Sequence, residues 1–327
     1  MEQACASNGY SSRTNQNHSY REAVLGANRT RRITFVATQA SNVNFEYALG
    51  YTAVEHERLI RQAALIAPIT ERFLREAGIG LGQRVLDLGS GAGDVSILLA
   101  KLVGPSGEVV GIERDANSIA RASARVKTAG LNNVSFTQAE VNNIASAKPF
   151  DAVVGRFILM FLPDPLLVLR AVTRLVHPGG LLAFQEPTWI PMLAVAAHLP
   201  LWSRVVGAIH ETFLQSGVNP EMGIQLCRDF QEIGFPAPKM HFDMLLGADA
   251  SLISIFSDLM SSVRPLAEQY SVPTDQLGDV DTLPDRIQTE IASANTVTGF
   301  LPIVSAWSRK PVLAQRESVE GKGSGPA

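Results

Sequence analysis

The sequence predicts an α/β protein built on a mostly parallel sheet. Short apolar strands alternate with amphipathic helices from residue 52 to residue 187, and turn-forming segments separate them. Because these strands are apolar on both faces, helices must cover both sides of the sheet. The predicted strands are 84–88, 108–112, 134–138, 150–154 and 181–185, and the predicted helices are 52–76, 94–102, 116–129 and 165–176.

Local patterns justify the individual elements. In the first helix, apolar residues recur every three or four positions through Leu59, Ala63 and Ile66, which gives the helix one packed face. Helix-to-strand junctions are predicted where glycine, proline and asparagine cluster, at 104–108, 129–133 and 177–180.

The pattern is looser after Pro187. Helices are predicted at 192–217 and 249–295, and we interpret them as insertions that fold over the carboxyl edge of the sheet. Strands are predicted at 238–247 and 298–310, the second with a proline inside it. The predicted organisation is an N-terminal tail (1–45), a core (46–187), the remainder of the sheet with a helical cap (188–310, with insertions at 190–220 and 249–295) and a C-terminal tail (311–327).

The overall composition excludes several classes of protein. The 327 residues are 46% hydrophobic and 18% charged, as in ordinary globular proteins, and a net charge of -3 gives no attraction to nucleic acid. Cys5 and Cys227 are too few for a disulfide framework and too far apart for a zinc knuckle, so we expect a cytoplasmic protein without a metal site. Residues 1–25 lack the apolar run of a signal peptide, and prolines and charges interrupt the longest apolar region, 189–210, so no membrane span is predicted.

A glycine-rich turn follows the first predicted strand. The segment VLDLGSGAGDVS, residues 85–96, places glycines at 89, 91 and 93. Such a turn offers backbone N–H groups and a helix N-terminus to a nucleotide. The third glycine of a dinucleotide-binding G-x-G-x-x-G turn would stand at position 94, which is Asp94 here.

This G-x-G-x-G spacing, with Asp87 two residues before the first glycine, resembles motif I of the class I S-adenosylmethionine-dependent methyltransferases. Segments 150–165 and 175–187 resemble later strands of that family, and the whole of 47–187 is similar to the small-molecule enzymes of ubiquinone and menaquinone biosynthesis. The resemblance implies S-adenosylmethionine as the cofactor of the core. It also implies a Rossmann-like, seven-stranded, mostly parallel sheet with one antiparallel strand near its edge, an N-terminal helix and a helical cap.

Acidic residues at two strand ends favour an adenosine ligand. Glu113 closes the second predicted strand, where a carboxylate accepts hydrogen bonds from ribose hydroxyls in either class of cofactor. Glu140 follows the third strand, where the resemblance implies an acidic residue at the adenine amino group. In this position the family more often carries Gly-Asp or Ala-Asp, whereas this chain has Ala139-Glu140.

The resemblance also implies roles at the methionine end of the cofactor. Tyr51 ends a segment, 47–51, that resembles a lid, although its tyrosines alternatively pack against the first helix. Arg156 is expected either at the methionine carboxylate or on the domain surface. The complete set of implied cofactor-binding residues is Tyr51, Asp87, Gly89, Ser90, Gly91, Glu113, Arg114, Glu140, Val141 and Arg156.

The predicted function is methyl transfer from S-adenosylmethionine to a small organic acceptor, with the accepting atom (oxygen, nitrogen or carbon) left open. In-line displacement requires alignment and exclusion of water, and some acceptors also need a base. Glu186, at the tip of the fifth strand, is the first candidate for a catalytic base; alternatively, its carboxylate forms hydrogen bonds to a nearby loop. His210 is the second candidate; alternatively, it is a partly buried histidine of a helix without a catalytic role. We expect a mixture of two roles, an apolar wall for the acceptor and packing in the core, among Phe157, Phe161, Trp189, Met192, Trp202 and Phe213.

Two alternatives from other functional classes stay open. One is a protein that binds S-adenosylmethionine without transferring its methyl group, either as a regulatory partner or as an enzyme that uses only the sulfonium charge. The other is an NAD-dependent dehydrogenase, against which the spacing at Asp94 and the acid at Glu140 both argue. The expected partners are a small-molecule acceptor and, in a homodimer, a second copy of the chain; a monomer is the other expectation, and no nucleic acid is expected.

Overall fold

The computed structural model describes residues 50, 52–300 and 302–312, which belong to one compact unit. The predicted N-terminal tail lies outside the described residues, as do Tyr51 and residues 313–327 of the predicted C-terminal tail.

Helices and strands alternate along the described part of the chain. The helices are α1 (Ala53–Ala77), α2 (Asp94–Val103), α3 (Ala116–Thr128), α4 (Pro165–Thr173), α5 (Ile190–Ala196), α6 (Pro200–Gln215), α7 (Met222–Glu232), α8 (Ala250–Gln269) and α9 (Leu283–Ser293). The strands are β1 (Arg84–Leu88), β2 (Glu108–Glu113), β3 (Val134–Gln138), β4 (Phe150–Arg156), β5 (Val176–Pro187), β6 (Lys239–Asp243), β7 (Leu246–Gly247), β8 (Thr298–Gly299) and β9 (Ile303–Arg309).

Seven strands form the main sheet in the order β3-β2-β1-β4-β5-β9-β6. Strands β1 to β5 pair in parallel, whereas β9 runs antiparallel to both β5 and β6. The short strands β7 and β8 form a separate antiparallel pair. This topology confirms the predicted mostly parallel sheet with one antiparallel strand near its edge.

The first helix is defined at both ends by capping residues. Thr52 is the N-cap, and its Oγ1 accepts a hydrogen bond from the backbone N–H of Glu55 at 3.1 Å. Gly78 ends the helix in the left-handed conformation, with φ of 95°. Side chains such as Phe73 pack with Leu99 and Val154 in a core between the sheet and the helices α1 and α2.

The structure corrects the predicted junction between α4 and β5. The helix predicted over 165–176 ends at Thr173, because the Leu175 carbonyl already accepts the backbone N–H of Phe150 at 2.8 Å. The turn predicted at 177–180 is instead part of β5, where pairing with β4 shifts register between Phe150 and Ala152.

Both helices predicted after Pro187 are divided in the structure. The helix predicted over 192–217 becomes α5 and α6, because Pro200 stands in the first turn of a new helix. The helix predicted over 249–295 becomes α8 and α9, with two 3-10 turns between them. Helix α7 was not predicted at all.

Both strands predicted after Pro187 are also shorter than expected. The strand predicted over 298–310 separates into β8 and β9 around Pro302, which has no N–H for a ladder. The strand predicted over 238–247 separates into β6 and β7.

The helices α5, α6, α8 and α9 form the cap. Strand β5 leads into α5 at Pro187, and Pro187 pairs with Ile303, where the antiparallel β9 begins. Strand β6 ends at Asp243, which also pairs with Ile303. The first insertion therefore leaves the sheet at the carboxyl edge of its parallel strands, and the second both leaves and rejoins the sheet at that edge. Ligands of such sheets bind at this edge.

Candidate functional site

The glycine turn lies at the carboxyl end of β1 and is held by its own backbone. The N–H of Ser90 donates to the Ile112 carbonyl at 2.9 Å, and the N–H of Gly93 donates to the Ser90 carbonyl at 2.8 Å. A Cβ on Gly89 would lie 2.7 Å from the Ile158 side chain, so this glycine allows close contact with the loop after β4. A Cβ on Gly91 would meet no atom within 4 Å, so the turn faces open space there.

Glu113 connects this turn to the end of β2. Its side chain is buried, and one carboxylate oxygen accepts the N–H of Gly91 at 2.9 Å. The other oxygen accepts the N–H groups of Arg114 and Asp115 at 2.8 and 3.0 Å. The carboxylate is therefore fixed beside the open face of the turn, in a position that suits a ribose.

Asp87 lies beneath the turn at the end of β1 and is 1% exposed. Its Oδ2 accepts a hydrogen bond from the Ser96 hydroxyl at 2.5 Å, which joins β1 to the first turns of α2. Burial raises the pKa of this carboxyl to about 6, against the opposing effects of Ser96 and Arg156. Asp87 therefore joins β1 to α2 beside the turn, and its predicted role in cofactor binding stays a prediction.

The predicted adenine residues follow the neighbouring strand. Glu113 pairs with Gln138 at the end of β3, and Gln138 Nε2 donates to the Arg114 carbonyl at 2.9 Å. Glu140, two residues further on, is exposed, and Val141 is half-buried. These residues lie along the same sheet edge as Glu113, and their adenine role stays a prediction.

Arg156 ends β4 and donates from Nη1 to the Thr70 hydroxyl of α1 at 3.1 Å. Burial lowers the pKa of its guanidinium, while Asp94 and Asp87 act in the opposite direction. The structure therefore places Arg156 among the acidic residues beneath the turn. Its predicted contact with a methionine carboxylate stays untested, and Tyr51 lies outside the described residues.

Glu186 lies inside the protein, at 0% exposure. Its carboxylate accepts the backbone N–H groups of Ile158, Leu159 and Met160 at 3.0, 2.9 and 3.3 Å. Burial nevertheless raises its pKa to about 7, because desolvation outweighs these three hydrogen bonds. The geometry supports the loop-holding role, and the catalytic role stays a prediction.

The cap contains a cluster of buried aromatic rings above the end of β5. Trp189 contacts Phe213, Phe256 and His210 at centroid distances of 5.7, 6.1 and 6.2 Å, and Trp202 contacts Phe256 at 4.9 Å. Within the described part of the chain, Nε1 of Trp189 and Nε1 of Trp202 are buried without a hydrogen-bond partner, and Nε2 of His210 makes no hydrogen bond but lies 3.5 Å from Glu221 Oε1. Buried polar groups are rarely left unpaired, so these nitrogens are candidates for contact with a ligand.

The remaining predicted wall residues surround this cluster. Phe213 contacts Phe161 at 6.4 Å, and Met192 is fully buried. Phe157 has φ of 53°, in the left-handed region, at the start of the loop that Glu186 holds.

Sequence reasoning missed several residues that support the turn. Arg125 on α3 donates to the Ala92 carbonyl and to Asp94, both at 2.6 Å. Away from the turn, Glu55 and Arg58 form a buried ion pair at 2.5 Å near the start of α1. Their signal in the sequence was weak, because polar residues in a helix are usually solvent-exposed.

Two features are absent from the residues that the structure describes. These residues contain no cluster of histidine, cysteine and acidic side chains suited to a metal ion. No helix among them has the length and apolar character needed to cross a bilayer.

Comparisons with known proteins agree with this class of nucleotide-binding α/β fold. Residues 80–219 match the model of a methyltransferase domain family. The chain is 30% identical over 177 residues to demethylmenaquinone methyltransferase of Staphylococcus aureus, covering 50% of this chain and 73% of the relative. It is 39% identical over 113 residues to arsenite methyltransferase of Aquipseudomonas alcaligenes. This match covers 32% of this chain and only 33% of that relative.

A solved structure shows the same fold. A protein of Bacillus halodurans C-125 classed as a methyltransferase superposes with a TM-score of 0.51 at 16% identity, covering 74% of this chain and 99% of that one. The chain belongs to the class I S-adenosylmethionine-dependent methyltransferases. The predicted family, class of enzyme and cofactor are confirmed, and the NAD-dependent alternative falls away.

Proposed function

We propose that this chain transfers the methyl group of S-adenosylmethionine to a small, largely apolar organic acceptor held beneath the helical cap. The observation that carries the proposal is the joint position of two features at one sheet edge. The glycine turn with Glu113 follows β1 and β2, and the aromatic cluster of the cap begins directly after β5.

The residues at the turn fit the cofactor. Open space at Gly91 admits the ligand, and the fixed carboxylate of Glu113 accepts hydrogen bonds from ribose hydroxyls. We assign Glu140 and Val141 to the adenine, and Arg156 to the methionine end. When bound, S-adenosylmethionine supplies an electrophilic methyl group on a sulfonium, which an acceptor displaces in line.

The protein contributes alignment and exclusion of water rather than bond-making groups. Glu186 holds the loop 158–160, and the side chain of Ile158 in that loop packs against Gly89. We therefore assign Glu186 as a positioning residue that connects the loop after β4 to the cofactor turn. His210, whose Nε2 lies 3.5 Å from Glu221, is better placed as a base for acceptors that must lose a proton.

The aromatic cluster favours an apolar acceptor that carries an oxygen. Rings of Trp189, Trp202 and Phe256 offer apolar contact, while the unpaired indole N–H groups offer hydrogen bonds to a carbonyl or hydroxyl oxygen. This chemistry is compatible with the demethylmenaquinone relative.

An arsenite acceptor fits the chain less well. Trivalent arsenic is a soft centre that prefers thiolate ligands. The described residues contain a single cysteine, Cys227, on helix α7. This helix packs closely on the end of β5 at Gly223, where a Cβ atom would lie only 2.8 Å from the Glu186 and Pro187 carbonyl oxygens. We therefore propose an organic acceptor.

A labelled-methyl assay tests the proposal. The purified protein is incubated with methyl-labelled S-adenosylmethionine and a panel of apolar phenols and quinols, with arsenite plus thiol as a separate arm. Transfer to a member of the organic panel is the expected result. Cofactor binding without transfer in any arm would instead support the binding-only alternative.

Two matched variants locate the acceptor. Trp189→Phe keeps an aromatic ring but removes the N–H, so it raises KM for an oxygen-bearing acceptor. Trp307→Phe makes the same change on β9, where Trp307 packs against Phe73, and leaves KM unchanged. Equal effects of both variants would place the acceptor elsewhere.

A further inference from the structure

A chain of hydrogen bonds runs from the glycine turn to the start of helix α1. It begins at Gly91, whose N–H donates to Glu113, and continues through the N–H of Asp115, which donates to the same carboxylate. The Asp115 side chain then accepts the backbone N–H and the hydroxyl of Ser118, at 2.7 and 2.8 Å. Asp115 is thereby both the N-cap of α3 and a neighbour of the residue assigned to the ribose.

His56 completes this chain from the side of α1. Its ring is 3% exposed, with Nε2 2.8 Å from the Ser118 hydroxyl and Nδ1 2.9 Å from the Thr52 carbonyl. The contact between His56 and Ser118 is a buried link between residues 62 positions apart. It fastens the first turn of α1 to the first turn of α3, just after Glu113 at the end of β2.

We propose that His56 is a positioning residue for the cofactor, acting through Ser118 and Asp115 on the ribose carboxylate of Glu113. This inference rests on the proposed cofactor site. Without His56, the first turn of α1 and the loop after β2 lose their shared contact, so Glu113 is less firmly fixed when the cofactor binds.

The Ser118 hydroxyl connects the ring of His56 to the side chain of Asp115. The Thr52 carbonyl only accepts, so Nδ1 of His56 donates to it. Nε2 of the ring contacts the Ser118 hydroxyl, which also contacts the Asp115 carboxylate. The ring is therefore held at both nitrogens, and a change at His56 reaches the loop after β2 through Ser118.

Other charged groups around His56 are already paired. Glu57 of α1 lies 3.5 Å from Arg121 of α3. On the side of the cap, Glu55 pairs with Arg58 and accepts the hydroxyl of Ser262 from α8, while Arg61 pairs with Asp258 at 2.6 Å.

Titration calorimetry with S-adenosylhomocysteine tests the proposal. His56→Ala is expected to weaken binding about tenfold, the loss expected for one buried hydrogen bond. Ser118→Ala removes the same link from α3 with a smaller change in volume and carries the test where His56→Ala does not fold. The double variant is expected to bind S-adenosylhomocysteine as tightly as the weaker-binding single variant, because the two substitutions remove the same contact.

The matched control is His177→Ala. His177 Nε2 also lies 3.0 Å from an aspartate, Asp151, but at the amino end of β4 and β5, away from the cofactor edge. This variant is expected to bind S-adenosylhomocysteine with unchanged affinity.

Rescue by a conservative variant separates positioning from simple structural damage. His56→Gln keeps a side-chain N–H donor near the Ser118 hydroxyl and is expected to bind S-adenosylhomocysteine more tightly than His56→Ala. Wild-type affinity in both His56→Ala and Ser118→Ala, or equally weak binding in His56→Gln and His56→Ala, would overturn the inference. Failure of the wild type to bind would overturn the proposed cofactor site instead.

Discussion

Replacing Glu186 by glutamine should change how stability depends on pH. Burial raises the pKa of this carboxyl from 4.5 to about 7, so the folded protein keeps a proton that the unfolded chain releases. Stability therefore decreases as the pH rises through this range. At about 1.4 kcal/mol per pKa unit, the complete loss is about 3 kcal/mol.

The glutamine variant does not titrate and avoids this loss. At about pH 5 it should be less stable than the wild type by about 1 kcal/mol, because its amide NH₂ faces the N–H of Met160 and one hydrogen bond is lost. From about pH 5 to about pH 8 the difference between wild type and variant should shift by about 2 to 3 kcal/mol in favour of the variant. Asp87 titrates in both proteins and cancels from this difference.

Urea unfolding followed by circular dichroism at four pH values measures both free energies. The reasoning is refuted if the difference in the free energy of unfolding between the two proteins is the same at all four pH values. A buried carboxyl that titrates near neutrality in the wild type alone must make this difference depend on pH.

Three further variants test the support of the cofactor turn. Gly89→Ala should lower the free energy of unfolding by about 2 kcal/mol or more, because its Cβ would lie 2.7 Å from Ile158 at a positive φ. Gly91→Ala, which meets open space at its positive φ, should cost about 1 kcal/mol in urea unfolding, and calorimetry should show weakened binding of S-adenosylhomocysteine. Arg125→Ala removes two hydrogen bonds to the turn and should lower the unfolding midpoint, whereas unchanged stability would show that the turn holds itself.

The strands of the sheet were predictable where the local sequence pattern alone determines their bounds. Strands β1 and β2 are largely apolar segments bounded by turn residues, and the structure places them and the more polar β3 within one residue of the predicted bounds. The junction at 173–181 was not predictable, because glycine and proline at 178–180 indicate a turn, whereas pairing with β4 draws these residues into β5. Such pairing depends on a partner far away in the sequence.

The candidate site was predicted in part. The glycine turn, Asp87 and Glu113 lie together because residues at consecutive strand ends share one edge of the sheet. The contribution of α1 was missed because His56 sits among polar residues that a helical pattern assigns to solvent. Its burial results from α3 packing against it, and no local pattern reports that contact.

The central claim is that the carboxyl edge binds S-adenosylmethionine with Glu113 at the ribose. Titration calorimetry of the purified wild type and of Glu113→Gln, with S-adenosylmethionine, S-adenosylhomocysteine and NAD, tests this claim most directly. The wild type should bind both adenosyl ligands with dissociation constants of roughly micromolar size and should not bind NAD. Glu113→Gln should bind both adenosyl ligands at least about tenfold more weakly while keeping its circular dichroism spectrum. Equal affinities of wild type and variant for the adenosyl ligands would contradict the assignment of Glu113 to the ribose.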